Sequence, residues 1–372
     1  MPPVTGLSEG ARVEGVRKIA VLRANALGDL MFSLPALGAL AATYPEAELV
    51  LLGAPWHRDF LSGRPGPVDR VEVVPPLPGV REGEVEPGEE EDFRRRMRAE
   101  ELDLALQWHG GGRHSNPLVS SLGARVTAGS ATPDAPRLDR TLTYVYFQSE
   151  YIRYLELAAL VGAAAVPATP ELALLDADRE EAAPYLAGAP VAVLHPGASD
   201  PRRRWPPASF AAVGDALAAA GFAVAVTGTV PERGLVDGVL GAMHDPARDF
   251  CDVLSLGGLA GLLAGAAVVV SNDSGPLHLA QAVGCPTVGI FWAYNITEGA
   301  PLARARHRPL CSYRMHCPEC GTHVERDFCP HEVSFVADVD PERVAAVALE
   351  LTGRGTPDPA ALAHGLDPRA HW

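Results

Sequence analysis

Residues 268–292, VVVSNDSGPLHLAQAVGCPTVGIFW, decide the fold. The apolar run at 266–270 is unbroken, as a strand buried on both faces of a parallel sheet must be. It stops at the polar turn Ser271-Asn272-Asp273-Ser274-Gly275. Pro276 suits a first helical position, where its missing N–H would have no partner anyway, and Gly284 with Pro286 ends the helix. Residues 287–291 then read as a second parallel strand. A strand–turn–helix of this kind aims backbone N–H groups and the positive helix end at the carboxyl edge of the sheet, where open α/β folds bind anions. The small residues Ser274 and Gly275 let a phosphate come close, Asp273 is placed to accept from a ribose or sugar hydroxyl, and His278 lies about one turn further on. In the competing reading Asp273 or Ser274 only caps the helix and His278 is packed.

At 372 residues the chain exceeds one typical domain of about 100–200 residues, so two domains with separate cores are expected. No window approaches the ~18 uncharged apolar residues of a membrane span, and the first residues lack the apolar segment of a secretory signal, which predicts a cytoplasmic protein. A formal charge of −15 argues against nucleic acid as a partner, because binding a polyphosphate needs a basic face. Basic residues still cluster at Arg202-Arg203-Arg204 and over 304–308, so a positive crevice on a negative protein is compatible with the composition.

Strand and helix alternate along the chain. After a flexible leader, 1–16, the run Ile19-Ala20-Val21-Leu22 is a buried strand, followed by a turn with Gly28 and Asp29, a helix over 30–43 and a strand over 48–52. Taken alone, Asp29 is explained as a favourable charge at a helix N-terminus. A strand follows near 68–74, and 75–92, rich in Pro, Gly and Glu, is predicted to be a mobile loop. A charged helix over 93–100, a strand over 102–107, an acceptor-side glycine loop over 108–116, a strand over 124–128 and a helix over 148–161 complete a first domain, 17–175. The second, 176–352, repeats the plan. A strand at 191–194 runs into Gly197-Ala198-Ser199 and the three arginines, then come a helix over 207–220, a strand over 222–227 and Glu232 before another helix. A solvated basic loop is the alternative for Arg203, and an ordinary first-turn acid the alternative for Glu232. Beyond residue 291 lie a basic, cysteine-rich loop and a helix over 341–351, and 353–372 is expected to be a tail.

The pattern N-D-S-G-P-x-H-x-A-x-A-x-G-x-P at 272–286 resembles the C-terminal signature of glycosyltransferase family 9, the heptosyltransferase-like enzymes. Two further signatures match in order: Leu27-Gly28-Asp29 through Pro35-Ala36-Leu37, and His195-Pro196-Gly197-Ala198-Ser199 through Arg203, Trp205 and Pro206. Arg203 stands where lysine is usual, which keeps the charge but offers phosphate a planar fork in place of a point charge. The resemblance implies an α/β fold of GT-B type, two Rossmann-like domains with parallel sheets facing across a cleft, acceptor on the N-terminal one and donor on the C-terminal one. It implies an inverting transfer of a sugar, heptose being the family's best-known, from a nucleotide-diphosphate donor to a hydroxyl of lipopolysaccharide or another envelope glycan, with peripheral contact with the inner membrane. Asp29 is then the general base, and Gly28, Gly197, Ala198, Ser199, Arg203, Glu232, Asp273, Ser274, Gly275 and His278 bind substrate. No catalytic metal is expected, since backbone dipoles and arginine carry the phosphate charge. A nucleotide-sugar epimerase of the same fold and a non-catalytic sugar-nucleotide binding protein are the alternatives. Neither G-x-G-x-x-G nor G-x-x-x-x-G-K-[ST] occurs, which weakens dehydrogenase and P-loop readings.

Four of the six cysteines, Cys311, Cys317, Cys320 and Cys329, fall in one stretch with His316, His323 and His331. The C-x-x-C at 317–320 has a spacing that holds structural zinc, while reduced structural thiols or a redox-labile pair fit the same residues.

Overall fold

The computed structural model describes residues 10–164, 166–324 and 326–355. The chain divides into two compact units, Met1–Ala173 and Leu174–Trp372. The first contains β1 (Lys18–Leu22), α1 (Leu27–Thr43), β2 (Glu48–Gly53), α2 (Pro55–Leu61), β3 (Arg70–Val73), α3 (Glu89–Ala99), β4 (Leu104–Gln107), α4 (Ser115–Ser120), β5 (Val126–Ala131), β6 (Arg140–Thr143) and α5 (Glu150–Ala159). The second contains α6 (Asp176–Leu186), β7 (Val191–His195), α7 (Pro207–Ala219), β8 (Ala223–Gly228), α8 (Arg233–Ala242), β9 (Arg248–Cys251), α9 (Leu256–Gly265), β10 (Val268–Asn272), α10 (Gly275–Ala282), β11 (Thr287–Trp292), α11 (Ala293–Gly299), β12 (His307–Ser312) and α12 (Pro341–Leu351).

Each unit holds a sheet of six parallel strands, ordered β3-β2-β1-β4-β5-β6 in the first and β12-β11-β10-β7-β8-β9 in the second. These are the same doubly wound pattern. The chain starts in the middle, works to one edge, then returns to the other side of its first strand. The direction therefore reverses between β1 and β4, and between β7 and β10, and loops that diverge at such a point leave a crevice at the carboxyl ends of the strands. Two Rossmann-like units of this kind are what the expected fold type requires.

The central strands are apolar because both of their faces are covered. Val191–His195 and Val268–Asn272 are buried throughout. Trp205 fixes the loop after β7 against this core. Its indole is fully buried against Phe210, its Nε1 donates to the Val339 carbonyl at 3.1 Å, and its backbone N–H donates to Asn272 Oδ1 at 3.0 Å. Asn272 also donates from Nδ2 to the Pro196 carbonyl at 2.8 Å, so one buried amide ties the loop after β7 to the end of β10.

Several expectations are corrected. Residues 10–16, assigned to a flexible leader, are packed: Val13 and Val16 are buried, and the Val13 N–H donates to the Tyr44 hydroxyl at 3.1 Å. Residues 75–92, expected to be a surface loop, are anchored at both ends, while 82–88 between them are exposed and without helix or strand. Leu77 and Arg81 pair in a bridge, Leu77 and Val80 are buried in the core, and α3 begins at Glu89. Three strands, β6, β9 and β12, and the short helices α2, α4 and α11 lie where no element was expected. Residues 1–9 of the leader and 356–372 of the tail lie outside the described residues.

Candidate active site

In the first unit the reversal point is built around a buried cation. Arg23 follows β1, and its guanidinium lies 2.5 Å from Oδ1 of Asp29, the Arg23 side chain being 6% exposed and that of Asp29 26%. Nη1 of Arg23 donates to the Trp108 carbonyl at 3.0 Å, which ties the loop after β1 to the loop after β4. Asp29 is the third residue of α1, and its Oδ2 accepts from the Ala26 N–H at 3.2 Å. The same carboxylate thus secures the helix start and keeps an exposed edge. Gly28 is buried beside it in the first turn. His57 and His109 flank the cation. Burial first, and Arg23 second, lower each ring to about 4, so both are neutral at pH 7. Among the described residues, Arg23 Nε, Asn25 Oδ1, His57 Nε2 and His109 Nδ1 are buried polar atoms without a hydrogen-bond partner. Such atoms are rare in protein interiors, and a group of them at one sheet edge marks where a polar ligand would complete the pairing. The loop over 108–116 is held from below, with Gln107 Nε2 donating to the carbonyls of His109 and Gly110 at 2.7 and 3.1 Å.

In the second unit the crossing is made by Arg203. Its Nη1 donates to Asp273 Oδ2 at 3.1 Å and its Nη2 to Ser199 Oγ at 2.9 Å. Here the exposures are 22% for the arginine side chain and 7% for the aspartate. His278 Nε2 lies 3.1 Å from Asp273 Oδ1, so each oxygen of the carboxylate has a partner. Burial opposes the charge on Asp273, but His278 and Arg203 outweigh it and hold the carboxyl below its usual range. Asp273 and His278, expected to bind substrate, are buried, with Asp273 joined to Arg203 on one oxygen and to His278 on the other. Arg202 is spent on Asp200, with Nε and Nη2 at 3.0 and 2.7 Å from it, and Arg204 donates to the Ala198 carbonyl at 2.9 Å. Arg203 remains the arginine of the three with a buried Nε lacking a partner.

Around it, Ser274 and Gly275 are half-buried at the start of α10, whose first-turn N–H groups have no partner within the helix. Ser274 does not cap the helix through its side chain; its Oγ lies 3.2 Å from Ser271 Oγ. Gly197 packs closely against two side chains. A Cβ there would stand 1.9 Å from Glu232 Oε1 and 2.8 Å from His195 Nε2. Glu232 is held in turn, its Oε2 accepting from the Thr229 N–H at 2.9 Å and hydroxyl at 2.8 Å. Gly197, Ala198, Ser199, Arg203, Glu232, Ser274 and Gly275 are therefore gathered at one end of the second sheet. Sequence reasoning missed Arg23 and His57, and it placed His109 only within the acceptor-side loop over 108–116. A lone charge directly after an all-apolar strand was the available signal for Arg23.

The expectation of no catalytic metal held that no D-x-D motif is present, and this is corrected: D-x-D triplets stand at 176–178 and 338–340, the last aspartate of each capping a helix start. Asp178 Oδ2 accepts from the Leu175 N–H at 2.9 Å and Asp340 Oδ1 from the Glu342 N–H at 3.0 Å. The cysteine group also differs from expectation. Cys317, Cys320, Cys329 and His331 come together, with ligand atoms all within 4.8 Å of one another. Cys311 is not among them, because it lies on β12 with its Sγ 3.3 Å from the Ser312 carbonyl oxygen.

The sequence model described as glycosyltransferase family 9 (heptosyltransferase) matches residues 91–322, more than half of the chain. The chain belongs to that family. It is a glycosyltransferase of the heptosyltransferase group. It is 24% identical over 291 residues to lipopolysaccharide heptosyltransferase 2 of Escherichia coli K12, covering 74% of this chain and 82% of that one. It is 28% identical over 145 residues to lipooligosaccharide heptosyltransferase 2 of Haemophilus influenzae, covering 36% of this chain and 42% of that protein, so this match spans under half of the relative's length. The solved structure of E. coli ADP-heptose lps heptosyltransferase II superposes with a TM-score of 0.71 at 20% identity, over 91% of this chain and 99% of that one, and so shares the fold. Among the described residues no helix is long and apolar enough to cross a membrane.

Proposed function

We propose that this glycosyltransferase moves heptose from ADP-heptose to a hydroxyl of a lipopolysaccharide acceptor, with inversion at the anomeric carbon. The donor is the one named for the similar E. coli enzyme, and the acceptor the one named for the E. coli relative. The observation that carries the reading is Arg203, aimed by Asp273 and Ser199 beside the start of α10. A diphosphate on the second unit would lie between Gly197-Ala198-Ser199, Arg203 and the N–H groups of Ser274 and Gly275, with Glu232 toward the ribose. Negative charge grows on that diphosphate as it leaves, and donors fixed in advance stabilise the transition state more than the ground state.

On the first unit Asp29 takes the proton of the acceptor hydroxyl as its oxygen attacks the anomeric carbon on the face opposite the departing ADP. One displacement inverts the centre. Arg23 orients the carboxylate, and the neutral rings of His57 and His109 add no second positive charge beside it. Arginine and backbone dipoles carry the phosphate charge in this scheme, and the D-x-D aspartates take no part.

The test is incubation with ADP-, GDP-, UDP- and CMP-linked sugars, with and without a lipopolysaccharide acceptor lacking the added sugar. Nucleoside diphosphate released only when acceptor is present, with an inverted linkage in the product, is the expected result. Conversion of the donor alone would make the protein an epimerase, and binding without turnover a sugar-nucleotide binder. Affinity is read in parallel, since a ligand at about 100 times its dissociation constant adds roughly 2.7 kcal/mol of stability.

A further inference from the structure

We propose that Cys317, Cys320, Cys329 and His331 bind one Zn²⁺ as a structural Cys3His site. The argument begins with the edges of a tetrahedron. With Zn–S near 2.3 Å and Zn–N near 2.0–2.1 Å, tetrahedral geometry sets S···S edges at about 3.8 Å and S···N edges at about 3.6 Å. Cys320 Sγ lies 3.6 Å from Cys329 Sγ, Cys317 Sγ lies 3.7 Å from His331 Nδ1, and Cys329 Sγ lies 3.5 Å from the same nitrogen. A disulfide needs its sulfurs at about 2.05 Å, so the observed spacing is that of ligands around a common centre.

The histidine is prepared for this task. Its Nε2 is 3.3 Å from Glu319 Oε2 and its Nδ1 lies beside the sulfurs of Cys317 and Cys329, so a ring protonated at Nε2 faces the carboxylate with its proton and the cysteines with its lone pair. A carboxylate behind a ligating imidazole is the usual outer support of zinc sites. The backbone is prepared as well. Residues 315–324 form a hairpin in which the Val324 N–H donates to the Met315 carbonyl at 3.0 Å and the Cys317 N–H to the Thr322 carbonyl at 2.9 Å. Gly321, at φ +72°, lets the chain turn sharply after the second cysteine, and its N–H donates to the Cys317 carbonyl at 2.9 Å. Cys317 and Cys329 are buried beside Trp292 and Phe335, and Cys320 is exposed, so the site sits at the rim of the second core with one ligand toward water.

The site has a structural consequence within its unit. The Phe335 N–H donates to the Arg202 carbonyl at 2.8 Å, and the Trp292 Nε1 donates to the Arg314 carbonyl at 2.7 Å. The segment carrying the four ligands is thereby fastened at both ends, once to the turn that holds Arg203 and once to the end of β11. A metal that fixes this segment supplies order that a short hairpin with few apolar residues does not supply by itself.

The test uses the full chain, purified without a histidine tag under reductant and dialysed against metal-free buffer. Mass-spectrometric metal analysis is expected to find about one zinc per chain, and Cys320→Ser and His331→Ala to reduce it to about a tenth or less. Cys311→Ser is expected to keep the full amount. Exchange of Co²⁺ into the wild-type protein, which does not depend on any variant folding, is expected to give intense sulfur-to-cobalt charge-transfer bands and the strong visible bands of a tetrahedral ion. Four results overturn the proposal: a chain that stays metal-free after incubation with zinc, iron in place of zinc, loss of metal in Cys311→Ser equal to that in Cys320→Ser, or a Cys320–Cys329 disulfide in reduced material.

Discussion

Arg203 and Asp273 lie 70 positions apart in the chain and meet at 3.1 Å across the point where the second sheet reverses direction. The carboxylate fixes one edge of the guanidinium and Ser199 the other, so the cation is aimed before any ligand arrives. Groups fixed in this way need no reorganisation when charge develops on a leaving group.

Arg203→Ala is therefore expected to lower turnover about 10²-fold to 10³-fold, equivalent to roughly 2.7–4 kcal/mol in the barrier. Arg203→Lys should recover part of the loss, because the charge remains while the fork is gone. Steady-state kinetics with a nucleotide sugar decide the matter, and an unchanged rate in the alanine variant removes Arg203 from the scheme.

Asp29→Asn keeps the shape of the side chain and removes the base, but its single carbonyl oxygen can accept from the Ala26 N–H or from Arg23 and not from both, so the ion pair with Arg23 is lost as well. Turnover should fall by about 10²-fold to 10⁴-fold, with the thermal shift caused by ADP unchanged. Wild-type turnover in this variant would reduce Asp29 to a helix-capping residue paired with Arg23.

Stability of the first unit should depend on pH through His57, which stands at about 4 in the fold against 6.5 for the free ring. Above the free value the ring is neutral in both states and nothing is lost. Below it the unfolded chain gains a proton that the folded ring refuses, so stability drops as pH falls from 6.5 to about 4. The loss from this one group is about 3 kcal/mol at most, and His109 adds to it in the same window. Chemical denaturation across that range should show a shallower slope in His57→Gln than in the parent, and equal slopes would contradict the burial argument.

Gly197→Ala forces a methyl group against Glu232 Oε1 and the His195 ring. Moving the loop to relieve the clash is expected to cost about 1–3 kcal/mol and to displace Ser199 from Arg203. Calorimetric titration with ADP should show weakened binding in a protein that still unfolds cooperatively, and parent-like affinity would place the diphosphate elsewhere.

The central strands were legible because a strand flanked on both sides and covered on both faces must be an unbroken apolar run, as in β1, β7, β10 and β11. The strands that escaped, β6 with RTLT, β9 with RDFC and β12 with HRPLCS, stand at sheet edges, where short and polar sequence does not separate strand from loop. The signatures fall on loops at the carboxyl ends of the strands, and they do not say which of their side chains are buried and which stay open. That distinction rests on burial. Asp273 and Arg203 both read as contacts in the sequence, and the fold pairs them with the aspartate the more deeply buried of the two. The acidic tract before α3 misled for a related reason, since Leu77 and Val80 anchor a segment whose composition is otherwise that of a loop.

The chain uses an arginine–aspartate couple twice on one wiring diagram, with the depths of the partners exchanged. In the first copy the acid is the outer member, and in the second the base is. Submerging one partner or the other sets the polarity offered to solvent, negative at the first couple and positive at the second, without any change of backbone plan, and the proposed proton transfer and anion binding would each use the outer member. Reversing the order of depth, by substitutions around the couple, is thus a route to altering what each copy attracts while leaving both sheets intact.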